Sequence, residues 1–169
     1  MMVLVELATP ILAFASRIGR PEIALMLLVA VLIFFAELVF FFVPGLSLST
    51  LFIAMACIKF GFVPSLAIAI PPILIVHLFY MKNPSIAVGD IVTMVIMVLF
   101  GSYAGPYIIS TVGWGLFGSL FGFVKWGTMI LTSFMYGGNM GKRVQNILLE
   151  PIFNFFIFWK LRLLFGFLI

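Results

Sequence analysis

Long apolar segments, separated by short groups of prolines, glycines and charged residues, make up almost the whole chain. The segments at 22–43, 86–109 and 112–136 are each long enough for a membrane-spanning helix, which needs about 20 apolar residues. Pro21 and Glu22 are typical of a helix start, because proline suits the first helical position and a carboxylate suits the positive end of the helix dipole. The pattern predicts a bundle of transmembrane helices.

The segment at 1–16 is apolar but shorter than a full span. A signal peptide is disfavoured, because its first part contains Glu6 and Pro10 and has no lysine or arginine. Two interpretations remain open: a short first span, or an interfacial helix in the headgroup region. Residues 17–21 follow as a turn.

The segment at 47–81 is too short for two comfortable crossings. It contains a lysine, a glycine and three prolines, namely Lys59, Gly61, Pro64, Pro71 and Pro72. One interpretation has a short or re-entrant helix at 49–60, followed by a span at 64–81 that is kinked at its prolines. The other makes both segments short spans. The first gives a compact bundle of about six helices, within a range of five to seven.

A glycine-rich turn at 137–141 joins the span at 112–136 to a final helix that begins near Lys142. Glycine supplies the left-handed residues that end helices, so the sequence predicts a C-terminal helical hairpin. The residues expected at equal depth in this hairpin are Tyr136 with Arg143, Thr132 with Asn146, Thr128 with Glu150, and Lys125 with both Glu150 and Asn154.

Each helix of the predicted hairpin carries a polar face. At 100° per residue, one side of the final helix holds Arg143, Asn146, Glu150 and Asn154. One face of the preceding helix holds Gly115, Gly118, Gly122, Lys125, Thr132 and Tyr136, with Thr128 at its edge. The glycines suit close helix packing. We predict that Lys125, Thr132, Asn146 and Glu150 form one buried polar cluster. The alternative is that the threonines bond to their own backbone and Lys125 reaches out to water.

Composition excludes a soluble protein. Of 169 residues, 65% are hydrophobic and 8% are charged, whereas soluble domains carry about 25% charged residues. Mean hydropathy is +1.37. We therefore expect an all-α integral membrane protein with a single transmembrane domain at 1–169. The net charge of +4 is spread over short loops, so it bears on membrane orientation and does not indicate nucleic acid binding.

Lysines and arginines near the span ends predict the orientation of the chain. With a re-entrant helix at 49–60, one side receives Arg17, Arg20, Lys82, Lys142 and Arg143, and the other receives Lys59, Lys160 and Arg162. This excess places the loops at 17–21 and 137–143 in the cytoplasm. If 49–60 is a span instead, the excess of lysines and arginines on the side of the 17–21 loop weakens or reverses.

Three further polar residues are binding candidates, because a charge inside the bilayer costs about 2.5 kcal/mol or more. Glu37 lies near the end of its helix and can be shallow. Asp90 can be a helix-start carboxylate, and His77 can be an interfacial residue. These three residues can have a functional role only if their side chains face the interior of the bundle.

Catalytic chemistry has no sequence support. There is one histidine and one cysteine, Cys57, and there is no metal-ligand, nucleophile or nucleotide-binding motif. We expect no enzyme activity, cofactor or metal. The expected function is a transport or channel component that binds a small solute or conducts an ion. The alternative is a structural subunit that assembles a larger membrane complex. Expected partners are membrane lipids, and copies of the same chain or other membrane subunits.

Overall fold

The computed structural model describes residues 21–40, 48–80, 83–136 and 140–168, and this part of the chain is all α-helical. Its six helices are α1 (Pro21–Phe40), α2 (Leu48–Phe60), α3 (Phe62–Phe79), α4 (Pro84–Tyr103), α5 (Gly105–Tyr136) and α6 (Met140–Leu168). The segment at 1–16 and the loop at 17–20 lie outside the described residues, as do 41–43 of the first predicted long span.

Four helices are long and apolar enough to cross a membrane: α1, α3, α4 and α5. These candidate spans indicate a multi-pass membrane protein. The helix α2 is apolar but has only 13 residues, which is about 20 Å against a hydrocarbon core of about 30 Å. The helix α6 has 29 residues and carries the polar stripe expected from the sequence.

The predicted span at 86–109 is wrong only in its last six residues, 104–109. The helix α4 ends at Tyr103, and α5 begins two residues later at Gly105, with Pro106 at a position that suits a helix start. Gly113 then interrupts α5 with a φ of 86°, a left-handed conformation that glycine adopts without a steric penalty. The chain therefore reverses over residues 104–113 instead of within a short loop.

Contacts near the helix ends give the helix directions. Tyr80, just after α3, donates a hydrogen bond to the carbonyl oxygen of Leu38 near the end of α1, so α1 and α3 run the same way. At the end of α3, His77 lies beside Asp90, close to the start of α4. At the start of α3, Phe62 lies beside Tyr103. The helices α3 and α4 are therefore antiparallel.

The short helix α2 runs opposite to α1. Ser49 at its start bonds to Glu37 near the end of α1, whereas Lys59 at its end lies with Leu25 around a small cavity. The single residue Gly61, with a φ of 76°, then connects α2 to α3. A short helix at 49–60 was predicted, and α2 is such a helix; it runs from the end of the bundle where α1 ends toward the end where α1 begins. The alternative with both segments as short spans agrees with these directions.

The hairpin of α5 and α6 is antiparallel, as predicted, and glycines bring the two helices together. A Cβ atom on Gly118 would lie 2.5 Å from Cγ of Phe158, and one on Gly122 would lie 2.9 Å from Nδ2 of Asn154. Gly115 packs in the same way on Phe155. These distances are shorter than normal carbon contacts, so a larger residue at these positions would push the helices apart.

We name the two ends of the bundle by the residues that lie there. The kink end holds Pro21, Gly61 and Gly113, and the hairpin end holds Tyr80, the end of α5 at Tyr136 and the start of α6 at Met140. Pro21 and Met140 start helices at opposite ends of the bundle, whereas the sequence analysis expected the loops at 17–21 and 137–143 on one side of the membrane. The physical reason is that α2 adds a crossing direction to the chain.

Aromatic and sulfur-containing side chains fill the core toward the kink end. Phe117 packs on both Phe121 and Phe158, with ring centroids 5.5 Å and 6.0 Å apart. Met97 and Cys57 are buried in the same cluster. The core toward the hairpin end contains the polar side chains described next.

Candidate functional site

The polar stripe of α6 faces into the bundle. Asn146, Glu150 and Asn154 are 3%, 0% and 2% exposed, while Leu148 and Ile152 on the other side are more than half exposed. The four-residue spacing of the polar positions places them on one face of the helix. The side chain of Arg143, the fourth member of the predicted stripe, lies outside the described residues.

An ion pair between Lys125 and Glu150 lies at the centre of this stripe. Nζ of Lys125 is 3.0 Å from Oε1 and 3.3 Å from Oε2 of Glu150. The two side chains are 5% and 0% exposed. The contact between Lys125 and Glu150, which were expected at equal depth in the hairpin, is therefore present.

Two residues that the sequence interpretation missed complete the surroundings of Glu150. The hydroxyl of Thr50, from α2, donates to Oε1 of Glu150 at 2.6 Å and accepts from Nζ of Lys125 at 2.9 Å. The indole N–H of Trp126 donates to Oε2 of Glu150. We call Thr50, Lys125, Trp126 and Glu150 the carboxylate cluster. Its carboxylate has a charged partner and two further donors, which compensates for the loss of water.

The start of α2 also contributes to this cluster. Thr50 is the third residue of α2, so the positive end of the helix dipole lies beside the carboxylate. The neighbouring Ser49 donates to Glu37 of α1. The first turn of α2 therefore contacts both Glu37, which is partly exposed, and Glu150, which is buried.

A local irregularity lies next to Glu150 in α6. Pro151 has no N–H, so the carbonyl oxygen of Ile147 lacks its helical donor. One turn further on, Nδ2 of the buried Asn154 has no hydrogen-bond partner among the described residues. Pro151 and Asn154 are both buried near Glu150, so this side of α6 retains hydrogen-bonding capacity.

The predicted cluster of four residues is only partly assembled. Thr132 and Thr128 donate to carbonyl oxygens of their own helix, at Met129 and Val124, as the alternative interpretation expected. Thr132 lies seven residues from Lys125, about 10 Å along α5. It packs together with Tyr136 against Gly89 of α4. Asn146 is buried on the same stripe as Glu150.

A second buried pair joins α3 to α4. Nε2 of His77 is 2.9 Å from Oδ2 of Asp90, and the side chains are 6% and 7% exposed. Nδ1 of His77 has no hydrogen-bond partner within the described part of the chain. Asp90 follows Gly89, so this pair lies near Thr132 and about 10 Å along α5 from the carboxylate cluster. The side chains of His77 and Asp90 therefore both face the interior of the bundle.

The described residues contain no group of three or more histidine, cysteine, aspartate or glutamate side chains that could hold a metal ion. The site can form ionic and hydrogen-bonding interactions through two groups: the Glu150 carboxylate with its three donors, and the His77–Asp90 pair nearby.

Comparison of the chain with protein-family models, with curated proteins and with solved structures finds no match.

Proposed function

We propose that this chain is a multi-pass membrane transport or channel component that binds a small solute or passes an ion at the carboxylate cluster. The observation that carries the proposal is the buried ion pair between Lys125 of α5, a candidate transmembrane helix, and Glu150 of α6. Each charge is expensive inside a bilayer. Apolar residues of similar size often stabilise a fold as well as a buried ion pair does, so the pair is better explained by a role in handling charge.

Interrupted helices around the cluster support this proposal. The helix α2 begins beside Glu150, and Pro151 interrupts the hydrogen-bonding pattern of α6 directly after it. In membrane transporters, binding sites are typically built where helices are discontinuous, since helix ends and free carbonyl oxygens can then contact the substrate.

Ligand exchange at one carboxylate is the proposed mechanism. Glu150 accepts from Lys125, Thr50 and Trp126, and an incoming proton or cation would compete with these donors. Neutralising the carboxylate would release Lys125 from its charged partner. A solute with hydrogen-bond donors can use the same positions.

We further propose that all six described helices cross the membrane and that the kink end is cytoplasmic. With the helix directions above, Lys59, Lys160 and Arg162 belong to the kink end, where Arg17 and Arg20 also precede α1 in the sequence. At the hairpin end, Lys82 follows α3 in the sequence, and Lys142 and Arg143 lie in the first turn of α6. The excess of basic residues favours the kink end as the cytoplasmic side.

Thermal stabilisation by candidate solutes tests the proposed function across several solute classes. A ligand of the folded state raises its stability by RT ln(1 + [L]/Kd), about 2.7 kcal/mol at a hundredfold excess over Kd. Purified protein is screened against inorganic ions, amino acids, sugars and vitamins. We expect at least one class to raise the melting temperature of the native protein and to have no effect on the Lys125→Met, Glu150→Met double variant. The Lys160→Met variant, altered at an exposed lysine, should respond like the native protein.

The alternative is a structural subunit. The outer faces of α5 and α6 support it, because Phe134, Phe153 and Phe156 are 75%, 45% and 55% exposed and could contact another membrane protein. Mass measurement of the protein extracted in native membrane patches separates the two. A single or self-associated species supports transport, whereas constant co-purification of a different chain together with no solute response supports the subunit.

A further inference from the structure

A small apolar cavity of about 120 Å³ lies between α1 and α2, and no residue of the carboxylate cluster lines it. Its walls include Leu25, Leu28 and Leu32 of α1, and Phe52, Met55 and Lys59 of α2. The three leucines extend over seven residues, about 10 Å along α1. The leucines, Phe52 and Met55 are partly exposed or at the surface, so the cavity opens on the outside of the bundle.

One cation lies at the kink end of this otherwise apolar cavity. Lys59 is in the last turn of α2 and its side chain is exposed. It lies with Leu25, which is the fifth residue of α1 and therefore about 6 Å from the start of that helix. In a chain that crosses a membrane, this is the depth at which acyl chains end and headgroups begin.

We propose that this cavity binds one anionic phospholipid, with an acyl chain between α1 and α2 and the phosphate on Lys59. Hydrocarbon complements the leucine, phenylalanine and methionine walls, and a negative phosphate complements the ammonium group. Basic residues at the headgroup level beside a crevice between transmembrane helices are a recurrent arrangement for anionic lipid recognition. A zwitterionic lipid would fill the same walls but gains less from Lys59, because its own ammonium group offsets the phosphate.

Competition between two lipids tests the headgroup contact. Protein in detergent is incubated with equal amounts of phosphatidylglycerol and phosphatidylcholine that have identical chains, and bound lipid is counted by native mass spectrometry. We expect one retained phosphatidylglycerol. The Lys59→Gln variant should lose roughly fivefold of the preference, the effect of one basic residue near an anionic surface. Lys59→Arg should restore it, and Lys160→Gln, at an exposed lysine of the same end, should leave it unchanged.

A change in the cavity wall tests the acyl chain contact. Leu28→Trp should fill the cavity and lower retention of both lipids, while a melting curve like that of the native protein shows that the fold is kept. If this variant does not fold, Leu32→Phe provides the same test. The proposal is overturned if the native protein binds the two lipids equally, if Lys59→Gln binds like the native protein, or if a folded cavity variant keeps its phosphatidylglycerol. A dimer that replaces the lipid at this face would also overturn it.

Discussion

Glu150 is surrounded by donors from two distant parts of the chain, one in α2 and two in α5. Lys125 neutralises its charge, and Thr50 and Trp126 occupy the remaining lone pairs. A buried charge of this kind is stable only as long as the partners stay together. Substitutions at single residues should therefore affect stability strongly, and they should not be additive.

The ion pair predicts strong coupling between two substitutions. Glu150→Met leaves the Lys125 ammonium buried without a counter-charge, and Lys125→Met leaves the carboxylate without its cation. Each should cost about 3–5 kcal/mol, whereas the double change to apolar residues should be close to neutral. Reversible unfolding in detergent measures the coupling, with exposed Lys160→Met as the control for loss of a lysine. Single losses that simply add in the double variant would contradict the contact.

Thr50 offers a subtler test at the same site. Thr50→Val keeps the shape of the side chain but removes the hydroxyl that donates to Glu150 and accepts from Lys125. We expect a loss of about 1–3 kcal/mol in the free energy of unfolding, since two buried charged groups lose a partner. The matched control is Thr111→Val, whose exposed hydroxyl bonds to the Tyr107 carbonyl of its own helix. Equal losses in the two variants would argue against a special role of Thr50.

At the scale of the helices, the C-terminal hairpin is the element that the sequence predicts best. A glycine turn and two polar faces with helical spacing sufficed to place Lys125 beside Glu150, because both residues lie in consecutive helices with one short connection. Thr50 was not predictable in the same way. It lies 100 residues from Glu150, and a single threonine in an apolar helix gives no periodic signal.

The pair of His77 and Asp90 shows a second limit of sequence interpretation. Each residue was judged alone, and each had an ordinary explanation at a helix end. Their contact depends on the antiparallel packing of α3 on α4, which neither helix reveals through an amphipathic face. The path of α2 was left open in the sequence analysis for a related reason, since its length alone allows both a re-entrant and a crossing path.

Glycine packing gives a prediction for the hairpin as an element. Gly118→Ala would place its Cβ 2.5 Å from Cγ and 2.9 Å from Cβ of Phe158, atoms that cannot move without the helix. We expect a loss of about 1–3 kcal/mol from overpacking. Gly127→Ala, in the same helix but with nothing within 4 Å of the added atom, should instead be neutral or gain up to about 1 kcal/mol in helix propensity. Thermal unfolding of the two variants measures the difference, and a loss for Gly127→Ala equal to that for Gly118→Ala would refute the close approach.

At the scale of the whole molecule, the helix directions place the exposed helix ends on two sides of the bundle, the kink end and the hairpin end. Single cysteines are introduced at three exposed helix-end positions, Glu22, Asn83 and Gly141, in a Cys57→Ala background. We expect membrane-impermeant reagents to label Asn83→Cys and Gly141→Cys from one side and Glu22→Cys from the other. Labelling of all three from a single side would contradict the crossing direction assigned to α2.

The separation of Lys125 from Glu150 by 25 residues has a consequence for biosynthesis. When α5 leaves the ribosome, its lysine has no carboxylate partner in α6, and a lysine at the centre of a helix opposes insertion by about 2.5–3.5 kcal/mol. The partner arrives only after the following turn and the first third of α6 have been translated. We therefore expect α5 to stay at the lateral gate of the translocon until α6 follows, and the two helices to enter the lipid as a pair.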